Sequence, residues 1–262
     1  GVAAVDELVG LGVEALVGEY HSVVARAVAA RASELRVPYL CSSAVLDSLV
    51  DEPTEWVARI APVQSRGWRV FAEYLVSLGH RRVAVVADAS VYWAAGVGVL
   101  RQYLDVVELR AAVCDELAAC GAKVLILLVG APVPIVESVR RDVRLAGVLI
   151  GAPAGQPEWA GLAGIPFLRY LPGELSPLGE RVRAELGGTP SFVGFEGYDA
   201  MVAVAEFLRI QGAGWKSVVV EGTRGRIGFE RMNGIWQWTG VPIQVADLDP
   251  GNPAAFRVLH RG

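Results

Sequence analysis

Apolar and polar residues alternate along this chain at two periods, and the switches between them mark its elements. Residues 1–11 place Val2, Val5, Leu8 and Val9 at helical spacing, which predicts an amphipathic helix. Val13 to Val17 is a short, mostly apolar run that suits a strand buried on both faces. Gly18 breaks it, and Ser22 stands where a helix N-cap belongs. Val24, Ala27, Val28, Ala32 and Leu35 then recur at helical spacing, until Pro38 blocks the helix and Tyr39-Leu40-Cys41 begins a second strand. SSAVLDSLVDEPTE reads as a loop, and Trp56 to Ala61 as a strand stopped by Pro62.

A second run of alternating elements follows. Helices are predicted at Ser65–Leu78, with Val70, Phe71, Tyr74, Leu75 and Leu78 on one face, and at Trp93–Leu104, Ala112–Cys120 and Pro134 to about Leu145. Gly79 is a C-terminal stop, and Pro134 suits a first helical position. Strands are predicted at Val83–Ala87, Val106–Leu109, Lys123–Val129, Val148–Ile150 and Ile165–Leu171. A third section returns to helix at Pro177–Leu186 and at Glu196–Ile210, the latter with Tyr198, Met201, Val202, Ala205 and Leu208 inward and Gly212 beyond its end. Trp215–Glu221 fits neither period clearly. Arg226–Phe229, Ile235–Trp238 and Pro242–Ala246 read as short strands joined by Asn233-Gly234 and Thr239-Gly240 turns. Strands alternating with helices predict an α/β fold with parallel sheets.

Composition changes this picture little. The 262 residues, 53% hydrophobic and 20% charged, are enough for one large domain or two lobes with a sizeable core. A net charge of −4 gives no electrostatic reason to expect nucleic acid or an anionic membrane as partner. Cys41, Cys114 and Cys120 form no CxxC pair and no zinc-ligand spacing, so buried free thiols are expected, and they do not decide the redox compartment. No apolar run is long enough to span a membrane, and the opening GVAAVDELVGLG reads as helix rather than secretory signal. The chain starts without Met, so upstream sequence is expected to have been removed, cleaved or left out.

Enzyme motifs fail. There is no P-loop, HExxH, GxSxG or GxGxxG after a strand, and no helix follows Gly222, Gly225 and Gly228. His80 reads as a surface residue, and His260 lies where fraying is expected. Asp88 follows a strand but has no nameable partner as a general base. The Asp115-Glu116 pair reads as solvated. A different pattern is positive. Five loops leave strand carboxyl ends, at 18–22, 41–45, 88–93, 130–133 and 151–154, and they are rich in small residues, hydroxyls and Tyr. At such ends free N–H groups and hydroxyls suit an anionic or carbonyl-like ligand group, so Tyr20, His21 and Ser22 are candidates. Ser22 acting only as a helix cap is an equal alternative on spacing.

Several segments resemble the type I periplasmic solute-binding family, in particular its branched-chain amino acid and amide group. GEYHSVVARAVA is similar to the family's Gly-x-x-x-Ser loop and helix, and VPYLCSSA to its second ligand loop. WVARIAPVQSRGWRVFAEYLVSLGHRRVAVVAD is similar to the first interlobe crossing and the start of the second lobe. FEGYDAMVAVAEFLR resembles the Tyr-Asp-Ala helix, and RIGFERMNGIWQW the Phe-Asp-x-x-Gly turn at the last crossing. The resemblance is collinear over nearly the whole chain.

It implies two parallel-sheet lobes joined by three crossovers, with lobe one at about 1–62 and 172–233 and lobe two at 63–171 and 234–262. The family's opening strand–helix–strand is absent before Gly1, and Trp93–Lys123 is shorter than usual. It also implies a ligand held by Ser22, with Ser42, Ser43 and Ala44 on the first lobe and Tyr92, Pro132 and Pro153 on the second. Core packing is the alternative for Ala44, Val45 and Tyr92. Val45 stands where threonine is common, Pro132 and Val133 where aromatics are common, and Pro153 where an acid would receive an α-ammonium group. The expected ligand therefore has a carboxylate or amide end and an apolar or aromatic body, rather than being a zwitterionic amino acid. Glu158 is the one acid that a shifted alignment would bring to that place.

The function implied is that of an extracytoplasmic receptor that closes on its ligand and delivers it to an ABC permease, with no cofactor, metal or catalytic residue. The rivals are a ligand-sensing domain of a regulator or receptor with the same fold, a hydrolase using Ser22 and His21, and a purely structural module.

Overall fold

The computed structural model describes residues 1–154, 163–187, 191–210 and 213–262, the side chains of 252–255 apart. Glu158 and Gly212 fall outside the described residues. The chain folds into two compact units, residues 1–64 with 170–242 and residues 65–169 with 243–262.

The first unit opens with α1 (Val2–Gly10), β1 (Leu16–Gly18), α2 (Ser22–Leu35), β2 (Tyr39–Cys41) and β3 (Val57–Arg59). The chain then leaves for the second unit, through α3 (Gln64–Ser77), β4 (Arg82–Ala87), α4 (Val91–Leu100), β5 (Asp105–Glu108), α5 (Val113–Cys120), β6 (Val124–Leu128), α6 (Val133–Arg141), β7 (Leu149–Gly151) and β8 (Phe167–Arg169). It returns to the first unit with α7 (Pro177–Glu185), α8 (Phe192–Arg209), β9 (Val219–Gly222), β10 (Gly225–Gly228), β11 (Glu230–Met232) and β12 (Ile235–Gln237). It ends in the second with β13 (Gln244–Asp249) and β14 (Asn252–Arg261).

In the first unit one sheet runs β1-β2-β3-β12-β11, parallel except for the antiparallel edge strand β11. Asn233 and Gly234 both take positive φ, 50° and 79°, which is the two-residue hairpin chemistry expected of Asn-Gly. Residues 234–242 lie in this unit and not in the second: Trp236 and Gln237 pair with Ala58 and Arg59. The third crossing is therefore at 242/243, beyond the Asn-Gly turn at which the sequence suggested it. The ambiguous Trp215–Glu221 stretch becomes a 3₁₀ turn followed by β9, which pairs with β10.

The second unit has a parallel sheet β5-β4-β6-β7 and an antiparallel sheet β14-β13-β8. All five residues of β6 are buried, as its unbroken apolar run requires, and Leu125, Leu127, Leu117, Val136 and Ile150 share one core. His260 is a ladder residue of β14 opposite Val245, not a frayed end.

Three helical faces differ from the apolar spacing. On α2 the buried line is Ala25, Ala29 and Ala32. Leu78, just past the end of α3, is exposed, and Trp68, which the pattern did not place inward, is fully buried. On α8 Tyr198, Met201 and Leu208 face outward, while Phe195, Glu196, Asp199, Ala200, Ala203 and Val204 are buried. Helix bounds also shift: α4 begins at Val91 because Ser90 accepts the Trp93 N–H as its cap, and α6 begins at Val133 with Pro132 at its N-cap position.

Candidate functional site

In the first unit, parallel pairing of β1 with β2 sets two loops side by side, and the Ser42 N–H donates to the Gly18 carbonyl at 3.0 Å. Gly18 is the last residue of β1 rather than the break after it. Ser22 is not the helix cap. His21 holds that position without a side-chain cap, and Ser22 is the first helical residue. The Ser22 hydroxyl reaches across to the second loop, where it accepts the Leu46 N–H at 3.3 Å. Its own proton stays available for a further acceptor. The Glu19 carboxylate accepts the N–H groups of Tyr20 (2.8 Å) and His21 (2.9 Å), the two donors that precede the first helical residue of α2. Tyr20 and His21 are exposed and meet edge to face, and Ser22 bonds to Leu46 rather than to His21, which leaves no nucleophile–base pair between them.

The second loop is braced from beneath. Arg59, fully buried in β3, donates to the carbonyls of Leu46, Asp47 and Ala44, and through Nε to Gln237 Oε1 at 2.7 Å. Gln237 donates in turn to the carbonyls of Ala61 and Trp238. Burial pulls the Arg59 guanidinium below its ordinary range. These contacts fix Ala44, Val45 and Leu46, all buried, in one backbone path.

Ser43, also buried, donates to the Ser42 hydroxyl at 3.3 Å and favours the charged form of the Glu196 carboxyl. Glu196 lies in a fully buried ionic cluster. Arg224, in the turn between β9 and β10, pairs with Asp199 at 2.9 Å and Glu196 at 3.3 Å, and Asp199 also accepts the Thr223 hydroxyl at 2.8 Å. Burial pushes the Glu196 carboxyl up to about 7, against the opposing pull of Arg224 and Ser43. The structure thus gathers Ser22, Ser42, Ser43 and Ala44 on one side of the first unit. It adds Glu19, Arg59 and Glu196, which apolar spacing does not single out. The signals for the last two were charges inside apolar runs, in WVARIA and FEGYDA.

In the second unit Tyr92 lies in the first turn of α4 rather than in the exit loop. Its ring packs on Trp93 at 4.7 Å and meets Trp68 edge-on at 6.1 Å. Asp88 accepts the Gly130 N–H at 2.8 Å, which ties the exits of β4 and β6 together and gives it a structural task. Pro132 and Pro153 are buried, and Ala152 bridges to Phe167 of β8. The Cys41 thiol is buried and pushed up by that burial, which makes it inert, and no Cys pairs with another. Among the described residues no group of His, Cys, Asp and Glu has metal-site geometry, and no helix is long and apolar enough to cross a membrane.

Comparison with known proteins follows the same lines. Residues 1–120 match a family model described as periplasmic binding protein. No curated protein matches the chain. Among solved structures, leucine-binding LivK from Thermotoga maritima superposes with a TM-score of 0.77 at 18% identity, covering 98% of this chain and 82% of that one. A solute-binding protein of an ABC transporter from R. palustris, in complex with 4-hydroxybenzoate, gives 0.80 at 15% identity over 100% of this chain and 82% of the other. LivJ from Streptococcus pneumoniae, in complex with isoleucine, gives 0.75 at 18% identity over 100% and 83%. By sequence over residues 1–120, and by fold over its length, the chain resembles the type I periplasmic binding proteins.

Proposed function

We propose that this chain is the solute-binding component of an ABC importer, extracytoplasmic, taking a small ligand with a carboxylate or amide end and an apolar or aromatic body. One observation supports this above others. The Ser22 hydroxyl is pinned by Leu46 N–H with its proton still to give, beside Ser42 and Ser43 at strand carboxyl ends. The fold neighbours are receptors whose bound molecules include isoleucine and 4-hydroxybenzoate. Pro153 and Ala152 supply an apolar stretch in the second unit, and Tyr92 and Pro132 are its other proposed ligand neighbours. Binding, rather than turnover, is the expected activity.

Mass spectrometry of small molecules that copurify with the protein identifies the ligand class. Calorimetric titration of that ligand into Ser22→Ala should show affinity reduced by about 1–3 kcal/mol, because a buried polar ligand atom loses its partner. Unfolding stability should fall by about 1 kcal/mol, since Leu46 N–H loses its acceptor. Unchanged affinity in this variant would remove Ser22 from the site.

A further inference from the structure

The antiparallel sheet of the second unit carries donors that no described residue satisfies. Gln244 of β13 stands directly between Arg169 of β8 and Arg261 of β14 in the ladder. Directly opposed residues leave the same face of a sheet, so the three side chains form a row. Among the described residues Arg169 makes no side-chain hydrogen bond or ion pair. Its partner is the Phe256 ring, 3.9 Å beneath the guanidinium carbon. That ring covers one flat face of the guanidinium and leaves its N–H edges free, while Phe167 meets Phe256 edge-on at 5.8 Å. Gln244 is 3% exposed, yet its amide nitrogen has no acceptor among the described residues. A buried N–H group without a partner is rare enough to need an occupant.

We propose that Arg169 and Gln244, with Arg261 adding charge, form a second carboxylate-binding site, in the second unit and additional to the Ser22 loops of the first. It goes beyond the solute-receptor reading, which rests on the Ser22 loops of the first unit. The planar fork of arginine matches the two oxygens of a carboxylate, and an amide N–H beside it adds a third donor. Burial alone draws the Arg169 guanidinium down to about 10, so it stays charged at neutral pH with no counter-charge among the described residues. Phe167 joins this row to the exit loop of β7 through its bridge with Ala152.

Sodium benzoate, benzamide and sodium chloride serve as probes, with melting temperature and calorimetry as readouts at constant ionic strength. The native protein should respond saturably to benzoate and at least tenfold more weakly to benzamide. Arg169→Met should raise the ligand-free melting temperature, because an uncompensated charge leaves a half-buried place, and should weaken benzoate at least tenfold. Arg169→Lys should fall between. If Arg169→Met does not fold, phenylglyoxal labelling of the native protein reads the same site, with benzoate protecting Arg169 in peptide mass spectra. No saturable benzoate response, equal binding of benzamide, or full benzoate affinity in Arg169→Met would each overturn the site. The two readings fail separately. Full benzoate affinity in Arg169→Met would sink this site and leave the receptor reading standing, and unchanged affinity for the copurified ligand in Ser22→Ala would remove Ser22 from the receptor site and leave this one standing.

Discussion

Glu196 makes the sharpest single-residue case. Its carboxyl is raised from an ordinary 4.5 to about 7 because burial disfavours the charged form more than Arg224 and Ser43 favour it. Between those values the folded protein keeps a proton that the unfolded chain releases. The resulting stability is fully present below about pH 4.5 and is lost as pH rises through about 7. Glu196→Gln removes that dependence. Urea unfolding at several pH values should show native stability falling relative to this variant by on the order of 2–3 kcal/mol across the window. Parallel curves for the two proteins would mean that Glu196 is ionised throughout. Residues of this kind were hidden in the sequence for a physical reason. Arg59 and Glu196 look like solvent-facing charges until Gln237 and Arg224, 178 and 28 positions away, are brought against them. Ser22 was visible, but its partner Leu46 was not, and so its capping role was an equal reading.

Elements were more legible than their faces. β6, α5 and α7 lie where period and punctuation put them, because a fully apolar run and a Ser-Pro start are local properties. The inward face of α8 was misjudged because its apolar stripe is not its buried stripe: the Arg224 guanidinium draws Glu196 and Asp199 inside and turns Met201, 59% exposed, outward. Helix α4 offers a direct test of packing against propensity. A Cβ at Gly96 would lie 2.0 Å from the Trp68 ring, whereas one at Gly98 would meet nothing within 4 Å. Gly98→Ala should therefore stabilise the protein by about 0.5–1 kcal/mol, the ordinary helix preference. Gly96→Ala should destabilise it by roughly 1–3 kcal/mol, because Trp68 has to shift within a filled core. Denaturant midpoints for the pair check this, and equal signs would show that Trp68 yields freely.

At the scale of the whole molecule, three crossings at 64/65, 169/170 and 242/243 connect the two units. If the proposed receptor works by hinge closure, its ligand should reduce the small-angle scattering radius and raise the melting temperature together. Tight binding without compaction would count against closure. The same division has a consequence for how the chain is made. Each unit is built from two separated stretches, and β3 reaches its sheet neighbour β12 only through the pairing of Arg59 with Gln237 and of Ala58 with Trp236. Arg59 and Gln237 lie 178 residues apart. At about 5–20 residues per second, a ribosome needs roughly 10–40 s to supply the second after the first. Throughout that interval β3 presents an open edge and Arg59 lacks its amide partner. Translation speed, more than final stability, therefore sets how long the half-made sheet stays open to pairing with other chains.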